Sequence, residues 1–451
     1  MKIRKNSIRG FFCVLLVLEI LTKQLCVCAK ERELNLYATS GVIIDGESHR
    51  VLYGKKENEI MPMASTTKIM TCILILENCE LNDYAEVSAY AAGMPKVKLG
   101  VKKGEKYRIK DLLYSLMLES HNDSAVVLAE YAGKMIKEKQ LQEKLESDTI
   151  EEKTIGKTEI KTANPESTEA VRLFVKMMND TARKLGCCNT YFVTPNGLDA
   201  AENIVNEEGK EMIKEHGTTA YELAVIMSYC VLDSPKKSEF IQITQTKQYQ
   251  FSCNNRKYFC NNHNLLFDMH SGVISGKTGF TNKAGYCYVC AVENEGRIYV
   301  ISLLACGWPG NKNYKWKDAL NLLKYGMDYY KRYNIFEKCN RVKKEALQPI
   351  EVVEGWKSGK GEKIYLETDI RYGGKEKIHM LLKEEEKPTV KILLPEKVRA
   401  PICEGEVIGR IQYLISDRVC CEDYVVAAEN IDIWKFSYCF FEVLKTIGLL
   451  K

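Results

Sequence analysis

The stretch Ser65-Thr-Thr-Lys-Ile-Met-Thr-Cys-Ile-Leu-Ile-Leu-Glu77 decides both the fold and the chemistry that we expect of this chain. It is apolar enough throughout to predict a helix buried in a large core. Positions i and i+3 share one face of a helix, so Lys68 can reach the hydroxyl of Ser65. A serine hydroxyl becomes a good nucleophile when a base removes its proton, and lysine can be that base if burial or a second cation lowers its pKa. The stretch therefore predicts a serine activated by a lysine.

Two more short motifs follow in order, Ser120-His-Asn122 and Lys277-Thr-Gly279. The first lies at a break between two helical segments, where its serine can relay a proton and its asparagine amide can hold a substrate. The second supplies a cation that would lower the pKa of Lys68. Its glycine leaves a strand edge open to a substrate backbone.

The order of the motifs matters because two of them have decoys. Ser234-Pro-Lys-Lys237 repeats the first pattern and Ser252-Cys-Asn254 repeats the second, whereas Lys-Thr-Gly occurs once. We predict a helix start at the first decoy, with Ser234 as the N-cap and the proline in the first turn. The second decoy lies in a polar stretch without a helix break. The ordered set, and no motif alone, carries the functional prediction.

Strand-like runs precede and follow a group of helix-like runs along the chain. This arrangement predicts a mixed sheet covered by helices. We predict strands at 39–45, 50–53, 242–251, 286–292 and 297–305, and helices from 65 and over 111–132, 170–185, 218–231 and 317–329.

Together the motifs resemble those of the serine D-alanyl-D-alanine carboxypeptidases, which are low-molecular-mass penicillin-binding proteins. The resemblance implies a mixed α/β fold: a β-lactamase/transpeptidase-like domain with a mostly antiparallel sheet covered by helices, then a small all-β domain and a C-terminal amphipathic helix. It extends from about Tyr37 to the end of the chain. The phrases that carry it are Met63-Ala-Ser-Thr-Thr-Lys-Ile-Met-Thr71, Ser120-His-Asn-Asp-Ser-Ala125, Phe192-Val-Thr-Pro-Asn-Gly-Leu-Asp199, Asn262-His-Asn264, Gly276-Lys-Thr-Gly-Phe-Thr281 and Ala400-Pro-Ile-Cys-Glu-Gly-Glu-Val-Ile-Gly409.

The resemblance also implies a catalytic role for three residues. Ser65 would form the acyl-enzyme, Lys68 would be the general base, and Ser120 would complete the second motif. The implied substrate is a peptidoglycan stem peptide ending in D-Ala-D-Ala, from which the last D-Ala is released. β-Lactam antibiotics such as penicillins would inhibit the enzyme by acylating the same serine.

Substrate binding is implied for a second group of residues. The terminal carboxylate of the substrate would be held by Lys277 and Thr278. The backbone N–H groups of Ser65 and Phe280 would bind the oxyanion, an arrangement worth several kcal/mol in acyl transfer. The full substrate-binding set is Asn122, Lys277, Thr278, Gly279 and Phe280.

Composition divides the chain into successive parts. Residues 1–29 combine a basic start, an apolar run and small residues at Val27-Cys-Ala29, which is typical of a secretory signal peptide; a retained N-terminal anchor is the alternative. The catalytic domain is predicted over 30–344, with a charged insertion at about 134–167 that is helical at first and then loose. Residues 345–430 contain short β-like pieces and predict a separate β domain.

The last segment, 431–451, is amphipathic on a helical wheel. One side carries the polar residues Lys435, Glu442, Lys445 and Thr446, and aromatic and aliphatic residues cover the rest. Such a helix can lie in a membrane interface; packing onto the β domain is the alternative. We therefore expect an exported enzyme at the extracytoplasmic face of the cell membrane or in the cell wall, held to the outer face of the cytoplasmic membrane by this helix.

Charge and cysteine counts limit the classes of partner. The 451 residues carry a formal net charge of +5, most of it within 1–29, so a nucleic-acid-binding surface is not indicated. Eighteen cysteines, less three in the leader, leave an odd number, and many lie in apolar runs where a free thiol behaves as a small hydrophobe. Cys287-Tyr-Val-Cys290 has metal-ligand spacing, but a strand would point the two sulfurs to opposite faces. No cofactor or metal is expected.

Three alternatives share parts of the pattern. A DD-endopeptidase uses the same residues. A β-lactamase of the same fold needs a glutamate in an E-x-x-L-N string after the second motif, whereas Glu31-Arg-Glu-Leu-Asn35 precedes the nucleophile. A non-catalytic β-lactam sensor or wall-binding protein would be acylated without turnover. His121 departs from the family, which usually has a small residue there. We expect a narrower cleft, an altered pH response, or a side chain that faces outward.

Overall fold

The computed structural model divides the chain into two compact units, Met1–Leu36 and Tyr37–Lys451. The predicted signal peptide, residues 148–167 of the charged insertion and part of the predicted terminal helix lie outside the described residues. Those that the structure describes are 34–147, 169–205, 209–357, 363–374, 378–437, 440, 443–444 and 447.

Five antiparallel strands form the central sheet of the N-terminal region, which we define as residues 37–330. The described strands of this region are β1 Ser40–Asp45, β2 Val51–Lys55, β3 Tyr84–Glu86, β4 Lys106–Arg108, β5 Ala201–Val205, β6 Glu211–Glu215, β7 Gln248–Cys253, β8 Arg256–Asn261, β9 Val273–Thr281, β10 Gly285–Asn294 and β11 Arg297–Leu304. The strand order in the central sheet is β2-β1-β11-β10-β9. The remaining strands form three two-stranded antiparallel sheets. Because β9 is an edge strand, one side of its backbone is open to a ligand.

Helices cover both faces of this sheet, as predicted. They are α1 Lys68–Asn78, α2 Ala89–Ala92, α3 Ile109–Tyr114, α4 Asn122–Ser147, α5 Glu169–Lys184, α6 Ala220–Ser228, α7 Lys237–Gln245, α8 Leu266–Met269 and α9 Tyr314–Tyr329. Side chains alternate along a strand. Val42 and Ile44 of β1 therefore belong to the main core around α1 and α6, whereas Ile43 lies against Gly326 of α9 on the opposite face.

Helix α1 passes through the main core, as its sequence predicted. Residues 68–76 are all buried, because this helix has no polar face to present to water. A 3-10 turn, Ala64–Thr67, precedes it. The turn places Ser65 at the surface of the core, with the rest of the helix behind it.

Two local predictions were wrong around residue 240. The segment 242–251 was predicted as one strand, but helix α7 continues to Gln245 before β7 begins. The buried residues of this helix, Phe240, Ile243 and Thr244, have helical spacing. Their packing in the core favours a helix with a 3.6-residue period over the strand that the short alternation predicted. Ser234 is also not the N-cap, because α7 begins two residues later than predicted, with Lys236 at the N-cap. The Ser234 hydroxyl donates to Glu77 instead.

The C-terminal region, residues 331–433, is built mainly from short strands. The strands are β12 Lys331–Asn334, β13 Ile350–Val353, β14 Gly355–Trp356, β15 Ile364–Leu366, β16 Thr368–Arg371, β17 His379–Leu382, β18 Thr389–Leu393, β19 Lys397–Arg399, β20 Val407–Ile415, β21 Arg418–Ala427 and β22 Asp432–Ile433. The largest sheet has the order β16-β21-β20-β18, and a second has the order β15-β13-β19. A short helix, α10 Ile335–Cys339, packs among the strands.

Strand pairing joins residues on both sides of the boundary predicted at 344/345. β12 pairs with β17, although its sequence is polar and short and gave no strand signal. The seam between the two regions lies beside β1 and β2. There the Asp45 carboxylate accepts a hydrogen bond from the Leu381 N–H (3.0 Å), and Arg50 donates to the Leu381 carbonyl (2.8 Å) and pairs with Glu386.

The described residues include no helix with the length and apolar character needed to cross a lipid bilayer.

Candidate active site

The three motifs meet at one cavity of about 390 Å³ beside the β9 edge. Lys68 and Lys277 are buried directly behind its wall, at 0% and 3% exposure. The predicted residues that line the cavity are Ser65, Ser120, Asn122, Thr278, Gly279 and Phe280. The structure thus brings together every site residue that the sequence predicted.

Ser65 lies on a tight turn held by close backbone contacts. Ala64, just before it, has a φ of 48°, a left-handed conformation that is rare for a residue with a side chain and is typical of functional sites. Gly197 packs against this turn with a φ of +84°, and a Cβ there would lie 2.0 Å from the Ala64 carbonyl oxygen. Only glycine permits this approach, which fixes the loop at 197 against the nucleophile.

Lys68 is surrounded by three oxygen atoms. Its Nζ lies 2.7 Å from Ser65 Oγ, 2.9 Å from Asn122 Oδ1 and 2.6 Å from the Asn196 carbonyl oxygen. Burial, with a further contribution from the Lys277 cation, holds the pKa of Lys68 well below its usual value. A neutral amine has two N–H donors and one lone pair. The two carbonyl oxygens can only accept, so the lone pair is left for the Ser65 hydroxyl.

Lys277 and Ser120 form a second pair at the cavity. Ser120 is at the end of a π-helical turn, Ser115–Glu119, and has a φ of 65°, which breaks the helix and turns its hydroxyl into the cavity. Lys277 Nζ donates to Ser120 Oγ (3.0 Å) and to the Thr278 carbonyl (2.8 Å). Burial lowers the pKa of Lys277 to about 7. The pair supplies a cation and a hydroxyl beside the nucleophile.

The wall next to Asn122 is a loop that the sequence did not single out. The Asn122 amide donates to the Lys96 carbonyl (3.3 Å), and Lys96 and Val97 line the cavity. The buried Asp123 carboxylate accepts hydrogen bonds from the backbone N–H groups of Leu99 and Gly100, both at 2.8 Å, and more weakly from the next residue. A carboxylate with several backbone donors is a strong anchor. Asp123 therefore holds this wall in place.

Gly279 lets β9 approach the nucleophile turn. A Cβ at this position would lie 2.8 Å from the Ser65 backbone nitrogen and 3.0 Å from that of Thr66. The strand edge therefore lies close to the Ser65 amide, and a side chain at position 279 would fill the space between them. Phe280, the next residue, is 37% exposed and follows along the same edge.

His121 neither faces outward nor narrows the cleft, and the altered pH response stays a prediction. Its Nδ1 is 2.8 Å from Ser115 Oγ, so the side chain does not face outward. It is also absent from the described residues that line the cavity, so it does not narrow the cleft. Burial lowers the pKa of His121. The ring is therefore neutral near pH 7.

The two cysteines with metal-ligand spacing lie on opposite faces of β10, as predicted. Cys287 packs in the main core. Cys290 is two residues after Tyr288 and therefore lies on the same face of the strand, where the Tyr288 ring contacts Trp316 of α9. Within the described ranges, no cluster of three or more histidine, cysteine or acidic residues could hold a metal ion. All cysteines described are free thiols, and Cys72, Cys230 and Cys306 are buried as small apolar residues.

A family model supports the prediction made from the motifs. The model of peptidase family S11, D-alanyl-D-alanine carboxypeptidase, matches residues 27–140 and 168–305, more than half of the chain. The chain belongs to this family. The membership confirms the predicted enzyme class, a serine-type D-Ala-D-Ala carboxypeptidase.

Curated relatives of this carboxypeptidase family match most of the chain. D-alanyl-D-alanine carboxypeptidase DacF of Bacillus subtilis is 26% identical over 407 residues, covering 88% of this chain and 87% of the relative. DacC of Escherichia coli is 23% identical, with coverages of 88% and 87%.

Solved structures confirm the coarse fold. Penicillin-binding protein 5 from Haemophilus influenzae has a TM-score of 0.59 at 18% identity and covers 89% of this chain and 99% of its own. The carboxypeptidase DacD from Francisella tularensis has a TM-score of 0.58 at 20% identity, with coverages of 89% and 95%. These likenesses show the penicillin-binding-protein fold with mixed helices and antiparallel sheets.

The sequence-based prediction missed two residues of the carboxypeptidase site, Asn196 and His216. Asn196 lies in a phrase that we quoted for the resemblance, yet its contribution is a backbone carbonyl, which no side-chain pattern reveals. His216 is buried, and burial lowers its pKa to about 3. Its Nδ1 accepts from the Val193 N–H (3.0 Å), so its Nε2 donates to Thr67 Oγ1 (2.8 Å). His216 thereby links the loop that carries Asn196 to the nucleophile turn.

Proposed function

We propose that this chain removes the terminal D-alanine from peptidoglycan stem peptides through an acyl-enzyme on Ser65. The observation that carries the proposal is the buried amine of Lys68, 2.7 Å from the Ser65 hydroxyl and otherwise surrounded by groups that only accept hydrogen bonds. Such an amine is positioned to accept a proton from one group, the Ser65 hydroxyl. Membership in the carboxypeptidase family supports the choice of substrate.

In acylation, Lys68 takes the Ser65 proton while Oγ attacks the carbonyl carbon of the penultimate D-Ala. The carbonyl oxygen becomes an oxyanion, which the backbone N–H groups of Ser65 and Phe280 would stabilise. When the tetrahedral intermediate collapses, the C–N bond breaks and the proton on Lys68 returns to the departing amine. The Ser120 hydroxyl, at the cavity, is placed to relay it. The products are D-alanine and an ester on Ser65.

In deacylation, a water molecule attacks the ester, and the same base accepts its proton. The Ser65 hydroxyl is then restored and the shortened peptide leaves. Microscopic reversibility makes Lys68 suited to both half-reactions, because each begins with removal of a proton from an oxygen nucleophile. A β-lactam would acylate Ser65 by the same first step.

Recognition of the substrate's terminal carboxylate falls to Lys277 and Thr278 in this proposal. The Lys277 ammonium is buried at the end of the cavity and the Thr278 hydroxyl lines it. A buried cation with its partners already in place favours an anion strongly, because little solvent has to be displaced from it.

We predict that Ser65→Ala abolishes both the release of D-Ala from an acyl-D-Ala-D-Ala peptide and covalent labelling by a fluorescent penicillin. The reason is that the variant lacks the only atom that forms the ester. Ser252→Ala, at the exposed decoy serine on β7, is the matched control and keeps both activities. Labelling of the Ser65→Ala protein would show that the nucleophile is misassigned. Rapid nitrocefin turnover by the wild type would instead favour a β-lactamase, and labelling without D-Ala release would favour a sensor.

We also propose that the chain is exported by its N-terminal signal peptide and held at the outer face of the membrane by its C-terminal segment. Four apolar side chains in that segment support the second part. Phe436, Phe440, Val443 and Ile447 are 54–75% exposed and recur at spacings of four, three and four residues. This spacing gives one apolar face if the segment is helical. Sedimentation with lipid vesicles tests the anchor, and sequencing of the mature N-terminus tests the leader.

A further inference from the structure

The lining of the active-site cavity is cationic. Besides the catalytic groups, the cavity is lined by three lysines, Lys96, Lys312 and Lys315. No aspartate or glutamate is among the described residues that line it. The cleft therefore favours anionic ligands at a place other than the carboxylate site at Lys277.

Lys315 is the lysine that the fold holds in a fixed position. It is 7% exposed, whereas Lys96 and Lys312 are exposed. Its Nζ lies 4.6 Å from the centroid of the Tyr286 ring and 4.7 Å from that of the Trp316 ring, both cation–π distances.

The ammonium of Lys315 has one oxygen acceptor among the described residues, the Lys312 carbonyl at 2.5 Å. An ammonium has three N–H donors, and the contacts left for the other two are the Tyr286 and Trp316 rings. A ring face holds a cation more weakly than a carboxylate does. Burial lowers the pKa of Lys315 to about 8, so the group is still mostly protonated at pH 7. A buried cation at a cavity wall with one oxygen acceptor and two ring contacts favours an anionic acceptor that arrives with the ligand.

The pairing of β9 with β10 shows where Lys315 lies relative to Ser65. Along β9, Lys277 and Thr278 come first, Gly279 lies against the Ser65 amide, and Phe280 follows. Phe280 is opposite Tyr286 on β10, and their ring centroids are 4.7 Å apart. The Lys315 ammonium lies over Tyr286, so it is past Ser65 on the side away from Lys277.

A substrate must follow the same order. With its terminal carboxylate at Lys277 and its scissile carbonyl at Ser65, its preceding residues extend toward Phe280 and Lys315. We propose that Lys315 binds a carboxylate on the stem peptide just before D-Ala-D-Ala, so that the enzyme selects anionic stem peptides over those with an amide or an amine there. This assignment rests on the proposed function and adds a specificity-determining residue to it.

The test compares isosteric peptides. Rates of D-Ala release, as kcat/KM, are measured for acetyl-L-Glu-D-Ala-D-Ala, its L-Gln analogue and its L-Lys analogue. We expect the wild type to prefer the Glu peptide to the Gln peptide by about tenfold, since a charge-assisted hydrogen bond is lost with the amide. The Lys peptide should be the slowest of the three. A second pair of peptides carries the Glu or the Gln one residue further from the D-Ala-D-Ala end. Comparing the two pairs shows at which of the two positions the enzyme binds the carboxylate.

Variants then connect the preference to Lys315. In Lys315→Met the Glu-to-Gln ratio should fall to about one, because an uncharged chain cannot distinguish the isosteres. Lys315→Arg should retain a preference for the anionic peptide. Lys317→Met, an exposed lysine of the same helix α9 outside the cavity lining, is the control and should keep both the rates and the ratio. The ratio is the readout because any general loss of activity lowers both rates together.

Equal wild-type rates within both peptide pairs would overturn the assignment, whether or not the variants fold. A preference that persists in Lys315→Met would overturn it too. A preference limited to the second pair and lost in Lys315→Met would support a carboxylate one residue further from the scissile bond. Failure of the wild type to release D-Ala from any of the peptides would instead overturn the proposed function, and the assignment with it.

Discussion

At Lys68, reactivity depends on two neighbours that cannot donate a hydrogen bond. The Asn122 and Asn196 carbonyl oxygens use the two N–H groups of the neutral amine, which leaves its lone pair facing Ser65. The sequence predicted the Ser65–Lys68 contact because i,i+3 geometry on a helix is local. It could not predict the Asn196 contact, which a backbone atom makes across 128 positions of the chain.

The pH dependence of the enzyme should reflect the two lysines at the same scale. Lys68 acts when neutral, so kcat/KM should rise with pH as it loses its proton. Lys277 acts when charged, and its pKa is lowered to about 7. Its cation is therefore present below pH 7 and lost above it, so kcat/KM for D-Ala-D-Ala peptides should decline on the alkaline side with an apparent pKa near 7.

The measurement is a pH profile of D-Ala release for the wild type, Lys277→Arg and Lys283→Arg. An arginine stays charged, so Lys277→Arg should be slower but without the alkaline decline near pH 7. Lys283, in the β9–β10 turn and paired with Glu215, is the control and should leave the profile unchanged. An alkaline decline that survives in Lys277→Arg would contradict the assignment.

At the scale of elements, the first turn of α4 organises one wall of the cleft. Asp123→Asn should lower the free energy of unfolding by about 2–3 kcal/mol, because an amide has one acceptor oxygen where the carboxylate has two. Urea unfolding measures the change, and acylation by fluorescent penicillin should slow as Lys96 and Val97 loosen. Asp328→Asn, an exposed residue of α9 paired with Lys324, should change stability by less than about 0.5 kcal/mol. Equal midpoints for both variants would refute the anchoring role of Asp123.

Sequence periodicity predicted the elements well where the core is large. α1 and the strands β10 and β11 were found from apolar runs alone, because burial on all sides leaves little choice of pattern. It failed at 242–245, where a short alternation is compatible with both periods and the contacts of Phe240 and Ile243 decide for the helix. It also missed β12, whose polar residues form a strand only because β17 is beside them.

At the scale of the whole molecule, the catalytic cleft and the seam with the C-terminal region lie at opposite edges of the central sheet. The seam with the C-terminal region lies beside β1 and β2, and the cleft lies at β9. Five strands separate these edges by roughly 20 Å, at the usual strand spacing. Under the membrane attachment that we propose, changes in the C-terminal segment should therefore alter membrane binding and leave turnover unchanged.

The proposed anchor gives this separation a direct test. Replacing Phe436, Phe440, Val443 and Ile447 together with serine should weaken sedimentation with phosphatidylcholine–phosphatidylglycerol vesicles by about tenfold or more, since apolar burial drives interfacial binding. D-Ala release should not change. A control with Ile213→Ser and Phe259→Ser, two equally exposed apolar residues elsewhere, should bind vesicles as the wild type does. Undiminished sedimentation of the fourfold variant would refute the anchor.

The Asn196 carbonyl has a consequence for antibiotic resistance. Missense mutations exchange side chains but leave every peptide unit intact, so no codon change at 196 deletes this acceptor. A variant that keeps Lys68 and still loses this acceptor would have to move the loop itself, and Gly197 tolerates little movement against Ala64. Substitution at position 196 is therefore not a route by which a β-lactam-resistant variant could lose this contact.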